Sequence, residues 1–167
     1  MRRIKVVHLT NLDMSLKVQM GNYLRYQRDQ GYDVSAITRP GRWLSTDTTT
    51  ADGLFVKIIP FQSRMTPFED VRTLARLIRY FRQEQFDIVH THTVKPGLLG
   101  RVAAKAAGVP VIVHTLHGLF LSHELMTPFQ YRLFRMIAKL GSACCHSVLS
   151  QNHEDIGTAI RLRICSP

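Results

Sequence analysis

The stretch from Asp87 to Gly100 reads DIVHTHTVKPGLLG. It opens as a short apolar run carrying His90 and His92, breaks at Lys95 and Pro96, and restarts as a small-residue helix through Ala107. A strand that ends in polar side chains and feeds a helix at a proline is how an open α/β sheet builds a ligand crevice. In such sheets ligands sit beyond the carboxyl ends of the strands, at the topological switch point. Residues two apart on a strand share a face, so His90 and His92 point the same way. Proline suits the first turn of the helix, whose unpaired N–H groups and partial positive charge favour an anion. Lys95, Gly97 and Gly100 therefore stand where backbone can approach a phosphate. The same glycines also let a helix pack tightly on a sheet, and both readings stay open. The pattern is neither a P-loop nor a GxGxxG turn.

Working outward, the apolar run IKVVHL (Ile4–Leu9) reads as a first strand buried on both faces. A polar loop from Thr10 to Ser15 leads to a helix over Leu16–Gln30, with Gly31 as its C-cap. Tyr32–Thr38 is a second strand, the turn-rich segment Arg39–Gly53 an exposed loop, and Leu54–Pro60 a third strand. The next helix covers Pro67–Gln85. Its Val71, Leu74, Ala75, Ile78 and Phe81 form an apolar stripe, while Arg72, Arg76 and Arg79 share another face with Arg82 beside them. Phe86–His92 is the fourth strand. The helix from Pro96 ends at Gly108, and Val109–Thr115 is the fifth strand. A loop, LHGLFLSHELM, leads to a capping box at Thr127–Gln130 and a helix to about Leu140. Ala143–Leu149 is the sixth strand, and Ser150 caps a last helix through about Arg161. This alternation predicts one α/β domain: a Rossmann-like, doubly wound, mostly parallel sheet of about six strands with helices on both faces. The expected strand order is 3-2-1-4-5-6, with the switch point between strands one and four.

The 167 residues suit a single sizeable core, and 45% hydrophobic content with scattered charge indicates a globular chain. Cys144, Cys145 and Cys165 fit neither a disulfide framework nor a zinc site, and read as reduced, cytosolic thiols. Asn11 and Asp13 end the first apolar run too early for a signal peptide, and no apolar stretch approaches the roughly 20 residues that span a bilayer. The expected location is cytoplasmic, soluble or peripheral. A net charge of +10 favours an anionic partner. Nucleic acid is not the expected one, because the basic residues are dispersed and no helix-turn-helix, RNP or zinc pattern occurs.

Five of the eight histidines fall at or just past a strand's carboxyl end: His8, His90, His92, His114 and His117. Imidazoles on one rim can donate hydrogen bonds, exchange protons or meet phosphate near neutral pH. His8 and His90, inside apolar strands, read as satisfied core residues; His92 and His117, beside loops and glycine, read as functional. No metal is expected, since no Cys, Asp or Glu at ligand spacing accompanies them.

The residues DIVHTHTVKPGLLGRVAAKAAGVPVIVHTLHGL, most specifically from His90 to Gly118, resemble the corresponding stretch of bacterial family 4 glycosyltransferases. The closing SQNHEDIGTAI is similar to the turn and helix that end the first half's sheet in that family. The resemblance implies the N-terminal half of a GT-B fold across residues 1–167, with the C-terminal nucleotide-sugar domain absent and the isolated chain inactive. It implies transfer of a hexosyl group from a nucleotide-sugar donor to a polyprenyl-linked or other cell-surface glycan acceptor, with retention and without a cofactor. His117 and His92 would be the active-site groups, His117 as an orienting and electrostatic group rather than a base. Gly118, Lys95, Gly97 and Asn11 would contact substrate. The Asn11–Ser15 loop departs from the family in having no glycine. Arg72, Arg76, Arg79 and Arg82, with Phe68 and Tyr80 nearby, would face an anionic membrane surface on the inner face of the plasma membrane. The rival reading is a non-catalytic, truncated or split module that needs a separate donor-domain partner.

Overall fold

The first apolar run becomes β1 (Lys5–Leu9), the middle of a seven-stranded sheet. The computed structural model describes residues 2–11, 13–18, 20–62, 66–118 and 126–166. Leu12, Gln19 and most of the expected loop before Thr127 (residues 119–125) lie outside them. After β1 come α1 (Asp13–Val18), α2 (Gly21–Asp29), β2 (Asp33–Thr38), β3 (Thr48–Thr49) and β4 (Phe55–Ile58). The second part runs α3 (Pro67–Glu84), β5 (Ile88–His92), α4 (Lys95–Ala107), β6 (Val111–Leu116), α5 (Pro128–Ala143), β7 (Ser147–Ser150) and α6 (His153–Arg161). The spatial order is β3-β4-β2-β1-β5-β6-β7, parallel throughout except that β3 pairs antiparallel with β4. With the two-residue β3 set aside, this is the expected order, and the switch point falls between β1 and β5.

Alternation along β1 divides the core. Val6 faces Leu16, Met20 and Leu24 from the α1–α2 side. Val7 and Leu9 face Leu77, Phe81 and Ala103 from α3 and α4 on the other. A sheet covered on both faces needs unbroken apolar strands, which is why these runs do not alternate polar and apolar residues.

Four local expectations change. The helix over Leu16–Gln30 is two helices, α1 starting earlier at Asp13. Asp13 is buried, and its carboxylate accepts from the N–H groups of Met14, Trp43 and Leu44, tying the start of α1 to the loop after β2. The loop Arg39–Gly53 contributes β3. On α3 the buried line is Thr73, Leu77 and Phe81, with Leu74 and Ile78 partly covered. Val71 and Ala75 of the expected stripe are exposed. Finally, Asn152 rather than Ser150 caps α6, its side chain accepting from Glu154 N–H, while Ser150 Oγ accepts from Asn152 N–H. The Thr127–Gln130 capping box forms as expected. Among the described residues no helix is long and apolar enough to cross a membrane.

Candidate functional site

Parallel pairing of β1 with β5 sets His8 level with His90. Because residues two apart share a face, His92 stands on the same side, its ring stacked on His90 with centroids 4.4 Å apart. All three are buried on the α2 face. His114 is level with Thr91, so it occupies the opposite, α4 face. The five histidines share a rim but not a side.

On the α2 face the imidazoles form a hydrogen-bonded chain leading outward. Gln27 Oε1 meets His8 Nε2 at 2.8 Å, and Gln27 Nε2 donates to the Tyr23 hydroxyl at 3.0 Å. His8 Nδ1 meets His92 Nε2 at 3.2 Å, His92 Nδ1 meets His117 Nε2 at 2.9 Å, and His117 Nδ1 meets Gln151 Oε1 at 3.2 Å. His90 stands aside, bonded to Thr115 Oγ1 at 2.7 Å. Three neutral rings carry one N–H each, whereas four contacts ending on two carbonyl oxygens require four. The chain closes with one extra proton, or with one terminal amide turned round. Burial lowers the pKa of His8 to about 3, helped by His90 and opposed by the Gln27 bond. Burial and His117 lower His90 to about 4. Burial, with the neighbouring imidazoles, lowers His92 still further. The inner rings are thus neutral at pH 7.

One nitrogen from each of His8, His90 and His92 lies within 4.8 Å of the other two, the spacing of a three-imidazole ligand set. Linear spacing does not reveal this cluster, because it is assembled across two strands. Both ring nitrogens of His8 and of His92 are already hydrogen-bonded, and the rings stack rather than converge on a common point. A metal ligates through the in-plane lone pair, so it would have to break the chain.

The other expected contacts divide. Lys95 is largely buried and forms an ion pair with Asp70 at 2.7 Å. Burial raises the Asp70 pKa, but Lys95 and the Thr66 N–H outweigh it and hold the carboxyl below its usual range. A Cβ on Gly97 would stand 2.9 Å from His114 Cε1 and 3.1 Å from the His92 carbonyl oxygen; one on Gly100 would stand 2.9 Å from Thr91 Cγ2. Close packing of α4 on the sheet therefore accounts for both glycines. Gly118 has φ +124°, a conformation that glycine tolerates and other residues resist. Asn11, at the end of β1, holds a buried Oδ1 with no partner. Thr93, just after β5, has φ +63°, a strained value for a β-branched residue. Arg72, Arg76, Arg79 and Arg82 are all exposed on α3. Arg72 pairs with Glu69, and Arg82 donates to the Ala106 carbonyl. Phe68 is 86% exposed, whereas Tyr80 packs inward on Phe81 and Phe86.

Residues 16–163 match the family described as glycosyl transferase 4-like domain. The chain belongs to that family. This glycosyl transferase 4-like domain is 33% identical over 156 residues to the UDP-Gal:alpha-D-GlcNAc-diphosphoundecaprenol alpha-1,3-galactosyltransferase of Escherichia coli, covering 92% of the chain and 40% of that enzyme. It is 26% identical over 150 residues to the capsular polysaccharide biosynthesis glycosyltransferase CapM of Staphylococcus aureus, covering 90% of the chain and 38% of that protein. The chain thus spans about two-fifths of the length of these curated relatives. Sucrose-phosphate synthase of Thermosynechococcus elongatus superposes with a TM-score of 0.70 at 11% identity, over 99% of the chain and 46% of that structure, which shows the shared fold.

The sequence alone does not single out Gln27, Tyr23 and Gln151, which complete the histidine chain, or Arg101 on the opposite face. Gln27 and Tyr23 lie on α2, where nothing in the linear pattern marks a helix residue as the partner of a strand histidine. Arg101 did carry a signal. It is the lone charge on the small-residue face of GLLGRVAA.

Proposed function

We propose that this domain is the acceptor-binding half of a retaining glycosyltransferase that moves a sugar from a nucleotide-sugar to a lipid-linked or other cell-surface glycan. The carrying observation is the chain His8–His92–His117, which leads from the buried switch point to the carboxyl rim where an α/β sheet binds ligands. The names of the two curated relatives, one acting on a diphosphoundecaprenol-linked sugar and the other serving capsular polysaccharide synthesis, support the acceptor class. On this reading most of the nucleotide-sugar is held by a separate donor half.

In the neutral chain, Gln27 Oε1 holds the His8 proton on Nε2, so each successive contact is donated inward and His117 Nδ1 is left as an acceptor. Its contact with Gln151 is exposed, and a substrate hydroxyl can replace it. His117 then holds the acceptor by a hydroxyl beside the attacking one, so that the attacking hydroxyl faces the sugar's anomeric carbon with its own proton free for the departing phosphate. The carbon–oxygen bond to the diphosphate breaks as the bond to the acceptor forms on the same face, and the acceptor's proton passes to the departing phosphate oxygen. His92 keeps His117 in the required tautomer and orientation. Gly118 and Asn11 line the same rim. The work is cytoplasmic, with the arginine face of α3 against an anionic membrane surface.

Turnover tests this reading. The chain alone should transfer no sugar from a nucleotide-sugar to a polyprenyl-diphosphate sugar, and adding a separately produced donor half should restore transfer. His117→Ala should then lower kcat by about 10²-fold or more, with His92→Ala acting in the same direction. Transfer by the chain alone, or an His117→Ala variant as fast as the parent, would overturn the assignment.

A further inference from the structure

On the α4 face, opposite the histidine chain, a cavity of about 560 Å³ opens between α4 and α5. That lies within the range of roughly 300–1,000 Å³ typical of small-molecule sites. Its walls are mostly hydrocarbon: Leu98, Leu116, Phe134, Ile137, Val148 and Ile164. Into this apolar space faces Arg101, only 5% exposed.

A buried guanidinium is ordinarily paired with a carboxylate, because leaving water uncompensated is costly. Arg101 has no such partner among the described residues. Its Nε donates to the Gly97 carbonyl at 2.9 Å, and the Cys145 thiol lies beside it. Lys95, also on the cavity wall, is neutralised by Asp70, so the uncompensated charge belongs to Arg101. Beside it, His114 Nδ1 lies 3.1 Å from the Thr91 carbonyl oxygen. The Thr91 hydroxyl oxygen lies 3.0 Å from the same nitrogen, and together the two contacts hold the ring on the cavity wall. The first turn of α4, whose N-cap residue Val94 supplies no side-chain cap, borders the same space through Val94, Lys95, Pro96 and Leu98.

We infer that this cavity binds an amphiphile: a phosphate or diphosphate group on Arg101 and the start of α4, and a branched hydrocarbon body against α5 and β6. Arg101 supplies the planar fork that phosphate oxygens accept from, and the walls supply the apolar surface that a hydrocarbon covers. A nucleotide fits poorly, because the α5 and β7 side offers almost nothing polar to a base or ribose. The inference rests on the proposed function only in naming the source of such a ligand, the lipid-diphosphate end of the acceptor.

Calorimetric titration of the full chain with farnesyl diphosphate, farnesol and inorganic pyrophosphate, without donor or turnover, tests it. Farnesyl diphosphate should bind at least tenfold more tightly than either fragment. Arg101→Lys, which keeps the charge and loses the fork, should weaken it about fivefold. Ala138→Trp, which fills the cavity from α5, should weaken it at least tenfold, with circular dichroism confirming that the variant folds. Farnesyl diphosphate binding no better than pyrophosphate, or undiminished binding by folded Ala138→Trp, would overturn the inference. Pyrophosphate binding alone would reduce the site to a free-phosphate site. If Ala138→Trp still bound a sugar-bearing acceptor as the parent does, the cavity would fail and the acceptor reading would stand. If farnesyl diphosphate bound as expected but no transfer could be restored, the proposed function would fail and the cavity would stand.

Discussion

His8 and His90 are two of the buried histidines that set the pH dependence of this fold. Each has its pKa lowered by burial from 6.5, to about 3 and about 4. For a base with a lowered folded-state pKa, the unfolded chain binds more protons once the pH drops below 6.5. Stability is then lost as the pH falls, and the loss levels off only near the folded-state values. Each histidine should cost about 2 kcal/mol between pH 7 and pH 5, a large share of a typical domain's margin. Urea unfolding at the two pH values should show that loss, with a smaller slope for His8→Gln; equal stability at pH 7 and pH 5 would contradict it. At this scale the sequence was half legible. The reading of His8 and His90 as satisfied core residues agrees with their burial and bonds. Lys95 reads in the sequence as a phosphate contact and is an ion pair in the fold, because Asp70 reaches it from another helix. The sequence shows which residues can carry charge, and packing decides which of those charges remain uncompensated.

Among the elements, α3 presents its arginines outward and buries Thr73, Leu77 and Phe81. The apolar stripe inferred from periodicity was rotated toward Val71 and Ala75, because hydrophobicity marks Val71 as a core residue and Thr73 as a surface one. The fold reverses that: Thr73 Oγ1 donates to the Pro60 carbonyl at 3.3 Å, and Val71 is 66% exposed. An outward face with Arg76, Arg79, Phe68 and Val71 suits an anionic bilayer surface, each cation contributing about 1 kcal/mol there. Sedimentation should show binding to anionic vesicles and little to neutral ones. The double substitution Arg76→Gln with Arg79→Gln should reduce it at least tenfold. Equal binding to both vesicle types would remove α3 from the membrane. Helix limits set by proline and glycine were readable to within a residue or two at α3 and α4. The start of α1 at Asp13 was not, since it depends on Asp13 capturing N–H groups 30 and 31 residues away.

For the molecule as a whole, strand order and switch point followed from alternating strands and helices. Which side of the sheet each histidine occupies followed from register, and the linear sequence does not display register. That difference separates a rim of five histidines into a histidine chain on one face and an arginine-floored cavity on the other. Both open toward the carboxyl ends of the strands, where the account places an acceptor rather than a donor. Competitive binding to the 167-residue chain tests this most directly, using a short-chain polyprenyl-diphosphate N-acetylglucosamine against a uridine diphosphate sugar. The lipid-diphosphate sugar should bind at least tenfold more tightly, and His117→Ala should weaken it. Tighter binding of the nucleotide-sugar, unaffected by His117→Ala, would contradict it.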